Sequence, residues 1–376
     1  MRSGYNQITR MVDAVIIDEG PLVHTGQILP WGNQGEIVGT GDASVQAARV
    51  VANLLEALKA GGASSGGIIK VNVYAAQADV IPKVREAMGQ GTDEFGRVAL
   101  SFVTGKLTEP NALVAMDAVA VAEFDTENRA VNRTRTPALP FLKATAAAIL
   151  PGGGKYYVSG QAKDGPLPDA TRDTLASLEN TLTFLGLGKS NVVQVKAFMQ
   201  PISEAGSVQA AIAKFFGPEL PPPTVFVEWT NTAAAPIEIE LIAADNKAPV
   251  LTGRSLNFLT PPGLTASKVF SRVVHVNHGR MIYFSGFYGN APGPAATQLN
   301  DIYVYMDYLL PRMGTDFDHL VKATYYVTDE ETSNRLDVIR SRFYSPNRPP
   351  AASRAMVAGV GFPERSVTID MIAVTR

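Results

Sequence analysis

The side chains able to do chemistry are few, and their types and spacing narrow what that chemistry can be. There is no cysteine, which removes thiolate nucleophiles, disulfides and cysteine-ligated metals. The histidines are His24, His275, His278 and His319. No two have the spacing of metal ligands on a helix, and His275 and His278 fall on a strand and its turn, so no metal is expected. Two Gly-rich strings, GGASSGGI (61–68) and PGGGK (151–155), are superficially like phosphate loops. The first follows a helix instead of opening one, and the second reads as a hairpin turn between strands, so neither is expected to hold a nucleotide cofactor. Chymotrypsin-like, nucleotide-dependent and metal-dependent mechanisms have no support.

Bulk properties exclude further classes. With 46% hydrophobic and 18% charged residues, the chain has the composition of a globular protein with ample core. A net charge of −2 supplies no basic footprint for nucleic acid. The start, MRSGYNQITRMVDAVIIDEG, is polar, and nowhere do 18 apolar residues run together. Cytoplasmic residence without membrane contact is the expectation.

The elements that must position any site come in triplicate. At 376 residues the chain is long enough for two or three domains. Three short strings recur in one order. A strand runs into glycine in PLVHTGQ (21–27), KYYVSGQ (155–161) and MIYFSGF (281–287). A helical stretch follows, then a Lys-led strand with Lys70, Lys196 and Lys322 at two equal intervals of 126 residues. Each copy closes on an alternating strand: ALVAMDAVAVA (112–122), PIEIELIAA (236–244) and SVTIDMIAV (366–374). Leu175, Leu178, Leu182 and Leu185 form one apolar helical stripe, stopped by Gly186 and Gly188. A second helix precedes each closing strand.

Each copy therefore reads as a hairpin, helix, strand, helix and final strand pair, an α+β unit with a mixed sheet and two helices on one face. The copies are expected at 1–124, 137–245 and 264–376. Segments 123–137 and 245–264 read as surface connections. A sheet covered on one side only must bury the other, so the uncovered faces are expected to meet in an intramolecular pseudo-trimer.

The (S/T)GQ segment after a strand, the helix ending near Gly, the VK strand and the final IEIE-like strand resemble the RidA family, also called YjgF or L-PSP. The resemblance spans all three copies and implies three tandem RidA-like (chorismate-mutase-like) domains. Family members are usually homotrimers with ligand clefts between subunits, so this chain is expected to act as a monomeric pseudo-trimer, with further dimerisation open. Active members hydrolyse 2-imino acids to 2-oxo acids and ammonia without metal or cofactor. An arginine before the final hairpin binds the substrate carboxylate, and a last-strand glutamate positions water.

Carried over, that arginine is Arg354 in copy three, where an ungapped count from the last strand gives Ser353 instead. Leu100 takes the place in copy one and Pro223 in copy two. The glutamate is Glu238 in copy two, with Ala115 and Thr368 at the equivalent places, and Asp117, Glu240 and Asp370 at the next acidic position. A family asparagine becomes Asp337, given a base-like part, and a family tyrosine becomes Phe270. Ser285 and Ser159 could supply hydrogen bonds at a cleft floor. The resemblance implies catalytic roles for Arg354, Glu238 and Asp337, and substrate contacts for Arg354, Ser285 and Phe270. Each also has a plainer reading: Arg354 as an ion-paired surface arginine, Glu238 as a solvated strand residue, the serines as backbone-bonding groups. The expected ligand is a small carboxylate-bearing metabolite. The alternative function is a non-catalytic carboxylate-binding protein with degenerate sites. Ribonuclease activity, an old family label, fits poorly with the acidic balance.

Overall fold

The computed structural model describes residues 2–6, 11–91, 97–123, 130–142, 144–231, 234–245, 247 and 252–376. Each copy contributes four strands to a sheet of its own. Copy one supplies β3 (Leu22–Thr25), β4 (Ile68–Ala75), β5 (Ala99–Thr104) and β6 (Val114–Val121). Copy two supplies β9 (Lys155–Ala162), β10 (Val192–Met199), β11 (Thr224–Glu228) and β12 (Ile237–Ala244). Copy three supplies β15 (Met281–Phe284), β16 (Leu320–Val327), β17 (Ala351–Met356) and β18 (Val367–Val374). Within each, the first and second strands pair antiparallel with the closing strand, while β4–β5, β10–β11 and β16–β17 run parallel.

The remaining strands cross over. Strands β7 (Asn132–Thr134) and β8 (Ala147–Leu150) lead into copy two but pair on copy one's sheet, giving the order β5-β4-β6-β3-β8-β7. Strands β13 (Leu256–Leu259) and β14 (Val273–Val276) lead into copy three but extend copy two's sheet. Strands β1 (Arg2–Asn6) and β2 (Met11–Ile17) extend copy three's, closing the exchange into a cycle.

This corrects two expectations. PGGGK is not a hairpin turn, because β8 bonds to β3 while β9 bonds to β12 and β14. An open strand edge is satisfied equally well by the same apolar pattern from another copy, and repeats supply that pattern three times. Likewise, residues 132–134 and 256–259, expected to be surface connections, are ladder strands.

The helices form where the apolar stripe recurs. Asp42 caps α1 (Ala43–Ala60) by accepting from Ser44 N and Val45 N, and Val50, Leu54 and Leu58 of that helix are buried. Helix α3 (Leu167–Phe184) buries Leu175, Leu178 and Leu182 and gives way to Gly186 at φ 72°. Helix α5 (Ala295–Arg312) matches them in copy three, while α2 (Val80–Gly91), α4 (Ala205–Phe216) and α6 (Glu330–Arg340) are the second helices. The helix-free sheet faces share one core. Leu22 and Val119 of copy one, Tyr157 and Ile242 of copy two, and Tyr283 and Val374 of copy three belong to a single buried cluster.

Register also corrects the lysine alignment. A bulge precedes Lys70 opposite Val119, Lys322 opposite Ile372 and, in copy two, Gln194 opposite Ile242. Gln194 is thus the counterpart of Lys70 and Lys322. Lys196 stands two residues on, opposite Glu240, where copy one has Asn72 opposite Asp117. The two equal intervals compared different sites.

Candidate functional site

Where the three copies meet, the acids of the closing strands face lysines from other copies. Lys70 Nζ donates to Asp370 Oδ1 (2.7 Å), Ser101 Oγ (2.7 Å) and Phe284 O (2.8 Å), using all three protons. Lys322 Nζ donates to Glu240 Oε2 (2.6 Å), both side chains nearly inaccessible. Asp117 accepts from Asn72 Nδ2 (3.0 Å) and Tyr74 OH (2.7 Å). Burial raises the Asp117 carboxyl and lowers the Lys70 ammonium, each opposed by its oppositely charged neighbours. The surrounding space is only about 50 Å³. This cluster joins the copies; it has no room for a substrate.

The open site lies at the seam between copies two and three, a cavity of about 590 Å³. From copy two, the closing strand β12 presents Glu238, and β9 presents Gly160 and Gln161. From copy three, β17 presents Ser353 and Arg354, and the run into β14 presents Phe270 and Arg272. Glu238 and Arg354, carried on different copies, line the same cleft. Burial pushes the Glu238 carboxyl up to about 7; Glu240 adds to the rise, while Ser353, Lys322 and Arg354 pull it back. Arg354 is 38% exposed in its side chain and open to a ligand from the cleft side. From behind, its Nη1 donates to Asp337 Oδ2 (3.0 Å) and Ser333 O (3.2 Å).

The other sequence candidates fall elsewhere. Asp337 is not part of the cleft wall: it accepts from Arg354 and from Arg340 Nη2 (2.6 Å), so it orients Arg354 and is not placed to act as a base. Ser285 is buried at a different seam, between copies three and one, where it accepts from Leu100 N (2.9 Å) and donates to Val12 O (2.6 Å). Its counterpart Ser159 accepts from Ala352 N (2.7 Å) and donates to Ser271 O (2.5 Å). A hydroxyl with its proton and one lone pair engaged by backbone stitches a seam and does not reach a substrate. Phe270 does line the cleft.

Arg272 and Arg340 escaped sequence reasoning, and Ser353 entered it only as the ungapped alternative to Arg354. Arg272 lines the cleft with its guanidinium 4.8 Å from the centre of the Phe270 ring. Ser353 Oγ accepts from Gly160 N (3.1 Å) and donates to Glu240 Oε2 (2.5 Å), tying the cleft to the central charge cluster. Arg340, 6% exposed in its side chain, also reaches the wall. The signal for Arg272 is its place two residues beyond Phe270, outside any family motif.

Register shows what became of the other seams. The counterparts of Arg354 are Phe226 in copy two and Phe102 in copy one, in place of the expected Pro223 and Leu100. Phe102 is fully buried, with Arg85 4.7 Å from its ring centre, and Tyr288 packs on Phe362 beside it. At the seam of copies one and two, Gln27 Nε2 donates to Phe226 O (2.9 Å) and a cavity of about 10 Å³ remains. Copy one's long loop places Trp31 edge-on to Phe141, 5.8 Å between ring centres, away from the open cleft.

Gly160 is required by close approach: a Cβ there would overlap the Glu238 carboxylate. Gly160→Ala is expected to displace that flexible side chain at a cost below about 1 kcal/mol in denaturant unfolding. A loss above about 3 kcal/mol would mean that the Glu238 side chain cannot give way.

Among the described residues no group of three or more His, Asp or Glu is placed to hold a metal, and no helix is long and apolar enough to cross a membrane. Protein DfrA of Myxococcus xanthus is 31% identical over 114 residues, covering 28% of this chain and 85% of DfrA. Among solved structures, a putative endoribonuclease of Thermotoga maritima is 29% identical, covering 32% of this chain and 91% of that one (TM-score 0.25). E. coli TdcF, crystallised with bound serine, is 26% identical, covering 29% and 86% respectively (TM-score 0.26). The sequence profile of the Endoribonuclease L-PSP family matches three times, at residues 3–122, 148–245 and 262–375. The chain therefore belongs to the Endoribonuclease L-PSP family, also known as YjgF/RidA, and carries its domain in three tandem copies.

Proposed function

We propose that this protein hydrolyses 2-imino carboxylic acids to 2-oxo acids and ammonia, as a pseudo-trimer within one chain and at one seam of it. The observation that carries the proposal is the meeting of Glu238 from copy two and Arg354 from copy three in one open cleft. Arg354 donates two hydrogen bonds to the substrate carboxylate, fixing the imine carbon. Glu238, with its carboxyl near 7, takes a proton from the water attacking that carbon. It returns that proton to the imine nitrogen, giving the neutral carbinolamine, then takes the carbinolamine hydroxyl proton and delivers it to the amine as the C–N bond breaks, leaving the 2-oxo acid. One water is consumed, the C–N bond breaks, and ammonia leaves. Asp337 holds Arg354 in place throughout.

The test is to generate 2-iminobutyrate in situ from an amino acid and follow its loss. Wild type is expected to accelerate decay over the protein-free control. Arg354→Ala is expected to lower kcat/KM about a hundredfold, the loss of roughly 3 kcal/mol of charge-assisted hydrogen bonding. Decay equal to the control overturns hydrolysis. Titration with 2-oxobutyrate then decides whether the cleft is a carboxylate-binding site without catalysis.

A further inference from the structure

The cleft holds more cationic charge than one carboxylate needs. Its wall carries Lys163, Arg272, Arg340 and Arg354 against the single carboxylate Glu238. Asp337, behind the wall, already engages Arg340 and Arg354. Arg272 stands apart from that pair. Its Nε is held by Thr265 O (2.8 Å) and its plane lies over Phe270, so the side chain is fixed. Among the described residues its terminal nitrogens form no hydrogen bond and no ion pair. Burial lowers its basicity, opposed by the charge of Glu238. A half-buried, immobilised guanidinium with both terminal NH2 groups free is suited to a second anion.

The other seams show that this charge is peculiar to the open cleft. Strand register puts Ala146 at the equivalent place between copies one and two, and Asp13 between copies three and one. Asp13 there accepts from Tyr305 OH (2.6 Å). The cavity of about 590 Å³ lies within the range of roughly 300–1,000 Å³ typical of sites for larger ligands, far above the needs of a four-carbon acid.

We infer that the cleft between copies two and three selects a substrate with two anionic groups, an imino dicarboxylate, with Arg354 on the carboxylate beside the imine and Arg272 on the second acid. This rests on the proposed imine hydrolysis for its chemistry but not for its binding. Imines are generated in situ from glutamate and from a neutral amino acid of similar length, and kcat/KM is compared. Titration with 2-oxoglutarate and 2-oxobutyrate gives a readout independent of turnover. Wild type is expected to favour the dicarboxylate at least tenfold in both measurements, and Arg272→Gln is expected to bring both ratios close to one. Equal or better use of the monocarboxylate overturns the inference while leaving imine hydrolysis standing. A tenfold binding preference abolished by Arg272→Gln, in the absence of any turnover, upholds the inference and overturns hydrolysis. Failure of 2-oxoglutarate to bind overturns the inference.

Discussion

Glu238→Gln is expected to cut kcat for imine hydrolysis by about 10²–10⁴-fold while leaving binding of a 2-oxo acid within a few-fold of wild type. Glutamine keeps the shape and can still donate to a ligand, but it cannot take the proton from water. The pH profile is the sharper readout. In the proposed reaction the carboxylate is the active form, and the carboxyl is pushed up to about 7, so wild-type activity should rise with pH through about 7. The same shift acts on stability. Free glutamate ionises near 4.5, whereas in the folded protein Glu238 keeps its proton up to about 7, so folding takes up a proton between these values. Stability therefore falls as pH rises across that window. With the discount due for contact with cleft water, the cost is on the order of 2 kcal/mol above pH 7. Glu238→Gln should remove it, giving a more stable and inactive protein at pH 8 and equal stability at pH 4. A flat activity profile from pH 5 to 9 would exclude Glu238 as the base.

Glu240→Ala should have the largest effect on folding, a loss of about 3–5 kcal/mol in denaturant unfolding. The substitution leaves Lys322, 8% exposed in its side chain, without its carboxylate, and deprives Ser353 Oγ of its acceptor. The double variant Glu240→Leu/Lys322→Met should recover most of the loss, because removing both charges ends the desolvation penalty. A cost below about 1 kcal/mol for Glu240→Ala would mean that water reaches the pair. Survivors of this substitution should also show an activity rise shifted to lower pH, since Glu240 is one of the causes holding Glu238 up.

The architecture was legible because its signals are periodic. The Leu175-Leu178-Leu182 stripe, the Ile237–Glu240 alternation and the recurring strand-to-glycine string each report a local geometry, and the structure contains all three. Strand exchange was not legible, since the residues of β8 satisfy a sheet edge identically whether that sheet is their own or another's. The lysine periodicity misled for a related reason: equal spacing in sequence ignores bulges and loop lengths, and only pairing with Ile242 shows that Gln194 takes the place of Lys70. For the site, the sequence named Arg354, Glu238 and Phe270 and placed clefts between copies, but it did not pair Arg354 of one copy with Glu238 of another. Asp337 followed from the position of a family asparagine and Ser285 from the strand-to-glycine string, and neither reveals that a hydroxyl is already engaged by Val12 O or that a carboxylate faces an arginine's far side.

The difference between the seams has an evolutionary corollary. In an assembly of identical subunits, every coding change is written into all pockets at once, so an aromatic plug like Phe226 or Phe102 would extinguish the whole oligomer. Encoding three units in one reading frame uncouples them. At two seams Phe226 and Phe102 form packing surface, and the third brings together Glu238, Arg272 and Arg354 from two different repeats.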